Sequence, residues 1–477
     1  MIPVLLILVP LLSGLLLFFV KDEKAIKSFA LLSSIITLIV VVSALCLNQA
    51  NQLSFSAAWL PTLGSRFSIA LDGMGKMLAL LTAISFPVVF IATSNNSYKN
   101  TSAFYALMLL TQAGLMGVFI ATDALLFYFF WELALIPVYF LCSIWGGEKR
   151  IAVTFKFFIY TFIGSLLMLA GILYLYFKSP DASFAIKSLT GLHLAAGEQN
   201  VLFWLFFIAF AIKMPVFPFH TWQPDAYEQA PTAATMILSG VMVKMGIFAV
   251  IRWLLPLFPE AATKYANVVI VLSIVGMIYA SLIAIKQDDI KRLIAYSSIA
   301  HIGLMCAAIF AHNTIGLEGV MIQMFNHGIN VIGLWIVANT IEQQLGTRKF
   351  SELGGLAQKA PTLAILLVIM ALANIALPLT NAFVGEFLMF NGLFQYNVWM
   401  AAVAGISIVL AAVYTLNMIQ KIFYGKTVAI TENAVDANSS VRWVLIVLVI
   451  VVLVLGVFPQ PIINLTKDTV NAIAAIH

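Results

Sequence analysis

Apolar runs about twenty residues long, separated by short polar stretches, follow one another along this 477-residue chain. Hydropathy places about fourteen of them, at 2–20, 28–47, 71–93, 103–121, 123–145, 152–177, 199–228, 231–255, 263–285, 289–310, 313–342, 362–396, 398–424 and 441–465. The longest polar connections are 48–70, 178–198, 343–361 and 425–440. Each run is long enough to cross a bilayer as a helix, so the pattern predicts an all-α polytopic membrane protein. Two runs contain helix breakers at comparable places. The run 199–228 reads KMPVFPFHTW, with Pro215 and Pro218; the run 362–396 reads ALPLTNAFVGEF, with Pro378. A proline removes one helical hydrogen bond and clashes with the preceding turn, so both spans should unwind there. Interrupted helices five spans apart suggest an internal repeat with ion sites at the breaks.

Composition agrees. The chain is 62% hydrophobic and only 9% charged, with mean hydropathy +1.03. Soluble domains are about 25% charged, and no polar stretch here is long enough for a separate one. The net charge of +5 is spread over short loops, which argues against a nucleic-acid partner and leaves the lipid bilayer as the surrounding medium. The first run lacks a basic flank and a small-residue cleavage site and is read as a retained helix. With the N-terminus outside, fifteen Lys and Arg fall in inner loops and six in outer ones. That bias puts both termini on the outer side of the membrane. Cys46, Cys142 and Cys306 are isolated, and there is no GxGxxG or Walker loop. No cofactor or redox centre is therefore expected in this chain. Six histidines without HxxxH or HExxH spacing point to no metal either.

Within this apolar background four ionisable side chains stand alone: Glu132 in FFWELAL, Lys213 in FAIKMPV, Lys244 in VMVKMGI and Glu386 in FVGEFLM. Insertion scales assign roughly 2.5–3.5 kcal/mol to Asp, Lys or Arg at a helix centre, so such residues are rarely idle. A lysine in low dielectric holds its proton less tightly, and a nearby carboxylate restores the charge. Glu132 and Lys213 suit that pairing. The bland alternative is a static ion pair that only orients helices. Glu386 follows Pro378, Asn381 and Gly385, where freed backbone recruits water. His301 and His327 titrate near neutrality and suit a relay, with Ser297, Ser298, Asn326 and Asn330 close in sequence. His220 is ambiguous between relay and cap. Lys156 and Lys76 are read as structural, reaching toward the membrane surface.

The segment KMPVFPFHTWQPDAYEQAPTAATMILSGVMVKMGIF resembles the seventh and eighth helices of the antiporter-like subunits of respiratory complex I. DIKRLIAYSSIAHIGLM and MFNHGINVIGLW resemble their tenth and eleventh helices, and the likeness covers nearly the whole chain. The resemblance implies fourteen helices and two inverted five-helix repeats. It divides the chain into 1–102 (helices 1–3), 103–255 (first repeat), 263–425 (second repeat) and 426–477 (helix 14). By position, Glu132 and Lys213 are similar to the fifth- and seventh-helix pair, and Lys244 to the connecting lysine of the eighth. His301 and His327 resemble the central-axis histidines, and Glu386 the terminal proton site. A glutamate there, with no long lateral C-terminal helix, resembles the M-type branch. L-type and N-type paralogues would then be neighbours, while NADH, FMN, iron–sulfur clusters and quinone would sit in partner subunits. Tyr227 stands where the family commonly has histidine, which weakens a relay role there. A sodium/proton antiporter subunit is the competing reading, and an inert spacer with idle charges the third.

Overall fold

The computed structural model describes residues 1–47, 49 and 51–476. Asn48, Ala50 and His477, which belong to the expected connection 48–70 and the segment 426–477, lie outside the described residues. In chain order the helices are α1 (Ile2–Leu17), α2 (Glu23–Leu45), α3 (Gly73–Ala92), α4 (Thr101–Ile120), α5 (Ala124–Trp145), α6 (Arg150–Lys178), the short α7 (Ile186–Thr190), α8 (Ala196–Lys213) and α9 (Gln223–Gln229). They continue as α10 (Thr232–Leu257), α11 (Pro259–Ile285), α12 (Ile290–Ile309) and α13 (Thr314–Leu345). The last are α14 (Pro361–Asn374), α15 (Asn381–Tyr396), α16 (Val398–Phe423), α17 (Ser439–Val457) and the amphipathic α18 (Gln460–Ala474). One antiparallel hairpin, β1 (Ser54–Leu60) and β2 (Ser65–Ala70), fills the first long connection.

Among the described residues, twelve helices are long and apolar enough to cross a membrane, two fewer than hydropathy suggested. The difference is α1, with 16 residues, and the run 362–396, which the break divides into helices of 14 and 16 residues. The run 199–228 is divided likewise, α8 ending at Lys213 and α9 resuming at Gln223.

Starts of spans are fixed by polar caps. Asp22, Asp72, Asn100, Asp123, Asp289, Asn313, Asn397 and Asn438 each accept a backbone N–H from the first turn of the following helix. In lipid an unmet N–H is costly, so short Asp and Asn side chains recur where a span begins. Asp123 is the most heavily used. It accepts from the N–H groups of Leu125, Leu126 and Arg66 and from the Ser65 hydroxyl, at 2.9–3.1 Å. Asp123→Ala should destabilise the α4–α5 corner by about 2 kcal/mol or more. Thermal unfolding of the purified assembly reads this directly; an unchanged midpoint would remove the cap from the account.

Two corners of the bundle share one hydrogen-bond pattern. Asp123 bridges to Ala185, with Ala124 N–H donating to Phe184 O (2.8 Å) and Ile186 N–H to Thr122 O (3.0 Å). Asp289 bridges to Lys349, with Ile290 N–H donating to Arg348 O (3.1 Å) and Phe350 N–H to Asp288 O (2.8 Å). The breaks match as well. Met214, Val216 and Phe219 donate to Phe210, Ala211 and Val216, as Ile375, Leu377 and Thr380 donate to Ala371, Leu372 and Leu377.

The helices differ sharply in exposure. α10 and α13 are buried along their membrane-spanning windows, whereas α2, α16 and α17 expose long apolar faces suited to lipid. Side chains on the two central helices must therefore meet their polar needs inside the protein. These helices also touch at backbone level. A Cβ on Gly328 would lie 2.8 Å from Gly240 O, a small-residue contact of the kind that substitutes for hydrophobic drive in a bilayer.

Candidate functional site

The two central helices carry the core of the site. α10 is π-helical over Leu238–Met242, where Val243 N–H reaches back five residues to Leu238 O. Such a bulge inserts one residue and changes which carbonyls the backbone uses. Lys244 exploits this: its Nζ donates to Ser239 O at 2.9 Å. The same Nζ lies 2.8 Å from His327 Nδ1 on α13. The other ring nitrogen, Nε2, is 3.3 Å from the Ser298 hydroxyl on α12. The imidazole thus faces two different polar partners through its two nitrogens. A ring held so can take a proton at Nδ1 and release one at Nε2 without turning.

His301, one turn from Ser298, stacks obliquely on His327 with ring centroids 5.5 Å apart. Its Nδ1 stands 3.0 Å from Glu386 Oε1 on α15. The contact is close, yet the ring N–H is not aimed along a hydrogen bond, and His301 Nε2 has no partner. Glu386 borders a cavity of about 20 Å³ shared with His301, Ser407 and Tyr414, enough for one water. Tyr414 OH and Asn374 Nδ2 both donate to Ser297 Oγ at 3.0 Å. The second break is held open from α13: Asn330 Nδ2 donates to Ala373 O (3.3 Å) and Asn326 Nδ2 to Asn381 O (2.7 Å). Lys244, His327, His301 and Glu386 are thereby gathered from four helices into one buried line.

Glu132 and Lys213 sit apart from it. Lys213 is 2% exposed at the end of α8, its Nζ 5.4 Å from the centre of the Trp131 ring and without a hydrogen-bond partner. Glu132 Oε1 is buried and likewise has no hydrogen-bond partner. No ion pair joins the two among the described residues. His220 packs against Phe217 and Tyr279 beside the first break. Lys156 binds rather than snorkels: its Nζ holds Thr221 O and Asp225, each at 2.8 Å. Lys76 donates to Leu47 O at 2.7 Å.

At the end of the bundle where α12 begins, an ion-pair network joins the two halves of the chain. Arg292 on α12 grips Asp225 and Glu228 of α9 at 3.1 and 2.7 Å. Arg348 holds Glu228 at 2.8 Å, Glu342 at 3.2 Å and also Asp289. Lys291 is buried and paired with Glu342 at 2.6 Å. Burial opposes the charge of Arg348, but the carboxylates of Asp289, Glu342 and Glu228 outweigh it and hold the guanidinium above its ordinary range.

Sequence reading missed Ser239, Tyr414 and Ser165, single hydroxyls in apolar runs that acquire meaning only from a neighbouring helix. The one signal for Ser239 is its spacing of five residues before Lys244.

Broken helices and buried bases placed this way are the mark of an ion-translocating membrane subunit. Over residues 121–411 the chain matches the family described as NADH:quinone oxidoreductase/Mrp antiporter, TM, and belongs to it. Within it the chain falls in the M-subunit group. It is 37% identical over 473 residues to NADH-quinone oxidoreductase subunit M of Rickettsia prowazekii (strain Madrid E), covering 96% of this chain and 95% of that one. A chain in the structure of respiratory complex I from Thermus thermophilus with bound NADH superposes with TM-score 0.93 at 28% identity, covering 100% of this chain and 99% of that one. A chain of the Mrp complex from Dietzia sp. DQ12-45-1b gives 0.87 at 21% identity, with 99% and 98% covered, a likeness of fold.

Proposed function

We propose that this chain is a proton-translocating membrane-arm subunit of an NADH:quinone oxidoreductase, driven by redox chemistry in partner subunits. The observation that carries the path is the contact line Lys244–His327–His301–Glu386, buried across four helices. A proton on Lys244 Nζ passes to His327 Nδ1, leaves from Nε2 toward Ser298 and His301, and reaches Glu386 beside the one-water cavity. Glu132 and Lys213 act upstream: a carboxylate that approaches keeps Lys213 charged, and one that withdraws lets it release. Their present separation belongs to the open arm of that cycle.

Two inverted repeats, 103–255 and 263–425, underlie the arrangement in this reading, supported by the matched corners at Asp123 and Asp289 and the matched breaks. In this reading the start of α12 lies on the inner side of a bacterial inner membrane and both termini outside, an orientation supported by the Lys and Arg bias. The L-type and N-type paralogues are its neighbours, and NADH, FMN, iron–sulfur clusters and quinone are handled by other subunits. The antiporter reading shares the fold, with 21% identity to a chain of the Mrp complex against 37% to subunit M of Rickettsia prowazekii.

The reading is tested on the assembled complex in inverted membrane vesicles. NADH-driven acidification should fall by about threefold or more in Glu132→Gln and Lys213→Met, because each removes one arm of the charge switch. Assembly, seen on native gels, should persist. Native acidification in both, or acidification that needs sodium and no NADH, would overturn the assignment in favour of spacer or antiporter.

A further inference from the structure

We propose that the groove between α14 and the end of α16 seats one anionic phospholipid, with an acyl chain along α14 and the phosphate among Lys359, Lys421 and Lys426. The orientation proposed above makes it a lipid of the inner leaflet; the site is independent of the proton path.

The groove comes from the second break. α14 is a half-helix of 14 residues, and Pro361, Ala364, Ile365, Val368 and Ile369 repeat along it at the spacing of one helical face. Ala357 before α14 and Tyr424 at the end of α16 complete the lining of a space of about 260 Å³. No charged side chain lines it, and Ile365 is 62% exposed within it. From Pro361 to Ile369 the helix rises about 12 Å, against roughly 15 Å for the hydrocarbon of one leaflet. The groove therefore has the polarity and the depth of an acyl chain. Tyr424 adds an amphipathic ring where hydrocarbon gives way to headgroups.

Two loops meet at its mouth. Gly355 N–H donates to Tyr424 O at 3.0 Å, Gln358 Nε2 to Gly425 O at 3.4 Å, and Thr427 Oγ1 to Gln358 Oε1 at 2.9 Å. This pairing brings the backbone of Lys359, next to Gln358, alongside that of Lys426, next to Gly425. Lys421 lies in the last turn of α16, three residues before Tyr424. All three lysines are exposed, and among the described residues none has a partner for its ammonium. Acids of the same loops are engaged elsewhere. Asp436 accepts the N–H groups of Thr362 and Leu363 at 3.1 and 3.0 Å, and Glu352 holds Lys349, which leaves Glu432 as the exposed acid. Lysines collect on the inner loops of any membrane protein. These three are singled out by the apolar groove that opens beside them. The larger groove between α15 and α16, about 520 Å³, shows the contrast: it begins beside Glu386, and no basic residue occurs from 387 to 408. A phosphate accepts from ammonium groups, and a headgroup without a cation of its own leaves that attraction uncancelled. Phosphatidylglycerol should therefore be preferred to phosphatidylcholine.

The test uses the assembled complex reconstituted in vesicles of equal parts dioleoylphosphatidylcholine and dioleoylphosphatidylglycerol. The photoreactive residue p-benzoylphenylalanine replaces Ile365 in the groove or, as a reference, Ile39 of α2, which is 61% exposed. After irradiation, mass spectrometry of this chain gives the ratio of the two lipid adducts. The ratio of glycerol to choline lipid at 365 should exceed that at 39 by about fivefold or more. Combining Lys359→Gln, Lys421→Gln and Lys426→Gln should return it to the reference, with assembly on native gels unchanged. Equal ratios at both positions, a preference that survives the three substitutions, or a cross-link from 365 to a neighbouring subunit in place of lipid overturns the site. Should the triple variant fail to assemble, high salt takes its place, because it screens exposed lysines. The preference must then fall toward the reference, and a preference indifferent to salt overturns the site.

Discussion

Lys244→Met should reduce NADH-driven proton pumping by about tenfold or more in a complex that still assembles. Lys244 is the base that meets His327, and it is fully buried with two partners, Ser239 O and His327 Nδ1. Methionine matches its length and suits an apolar span better, so the charge itself is dispensable for folding. The side effect is local: two acceptors lose a donor, at roughly 1–3 kcal/mol each unless water replaces it. Lys244→Arg sharpens the question. It retains the charge but cannot give up its proton, so a residue that only orients helices would be rescued and a relay would not. Pumping is read by dye quenching in vesicles, and assembly by native gel. Native pumping in Lys244→Met, or near-native pumping in Lys244→Arg, would remove Lys244 from the path.

The second large effect is expected at Glu386. Glu386→Gln keeps the shape and the place beside His301, but it has no titratable proton to pass. Pumping and linked NADH oxidation should fall by about tenfold, with little change in thermal stability. The surroundings support a site that changes protonation. Glu386 is 8% exposed, sits one turn past the break at 375–380 and shares its small cavity with Ser407 and Tyr414. Its Oε1 lies 3.0 Å from His301 Nδ1, so a proton carried on that ring has Glu386 as its neighbouring acceptor. Glu386→Lys keeps a titratable group and should retain part of the activity, provided His301 presents the opposite tautomer. Assembled Glu386→Gln pumping at the native rate would sink the assignment of Glu386 as the terminal site.

Much of this was legible in the residues. Twenty-residue apolar runs dictate helices in lipid because no other open structure satisfies the backbone there, and Pro215, Pro218 and Pro378 mark where two of them must break. Buried charge is conspicuous in such a background, so Glu132, Lys213, Lys244 and Glu386 stand out by cost alone. Hydropathy could not show that the 362–396 run is two short helices, because apolar content is indifferent to where hydrogen bonds stop.

Partnership is different in kind. That Lys244 meets His327 across 83 residues depends on a π-bulge and on Gly240 against Gly328. Neither leaves a periodic trace. The same holds for Lys156, which a one-dimensional reading sends to the surface and the fold bends onto Asp225. It holds again for Glu132 and Lys213, whose sequence suggests an ion pair and whose helices leave them apart. The residues themselves determined which groups are too costly to be idle, since transfer into lipid is a property of each side chain. Only the tertiary structure decided which of them touch, because hydrogen bonds a few ångströms long are set by the packing of helices distant in sequence.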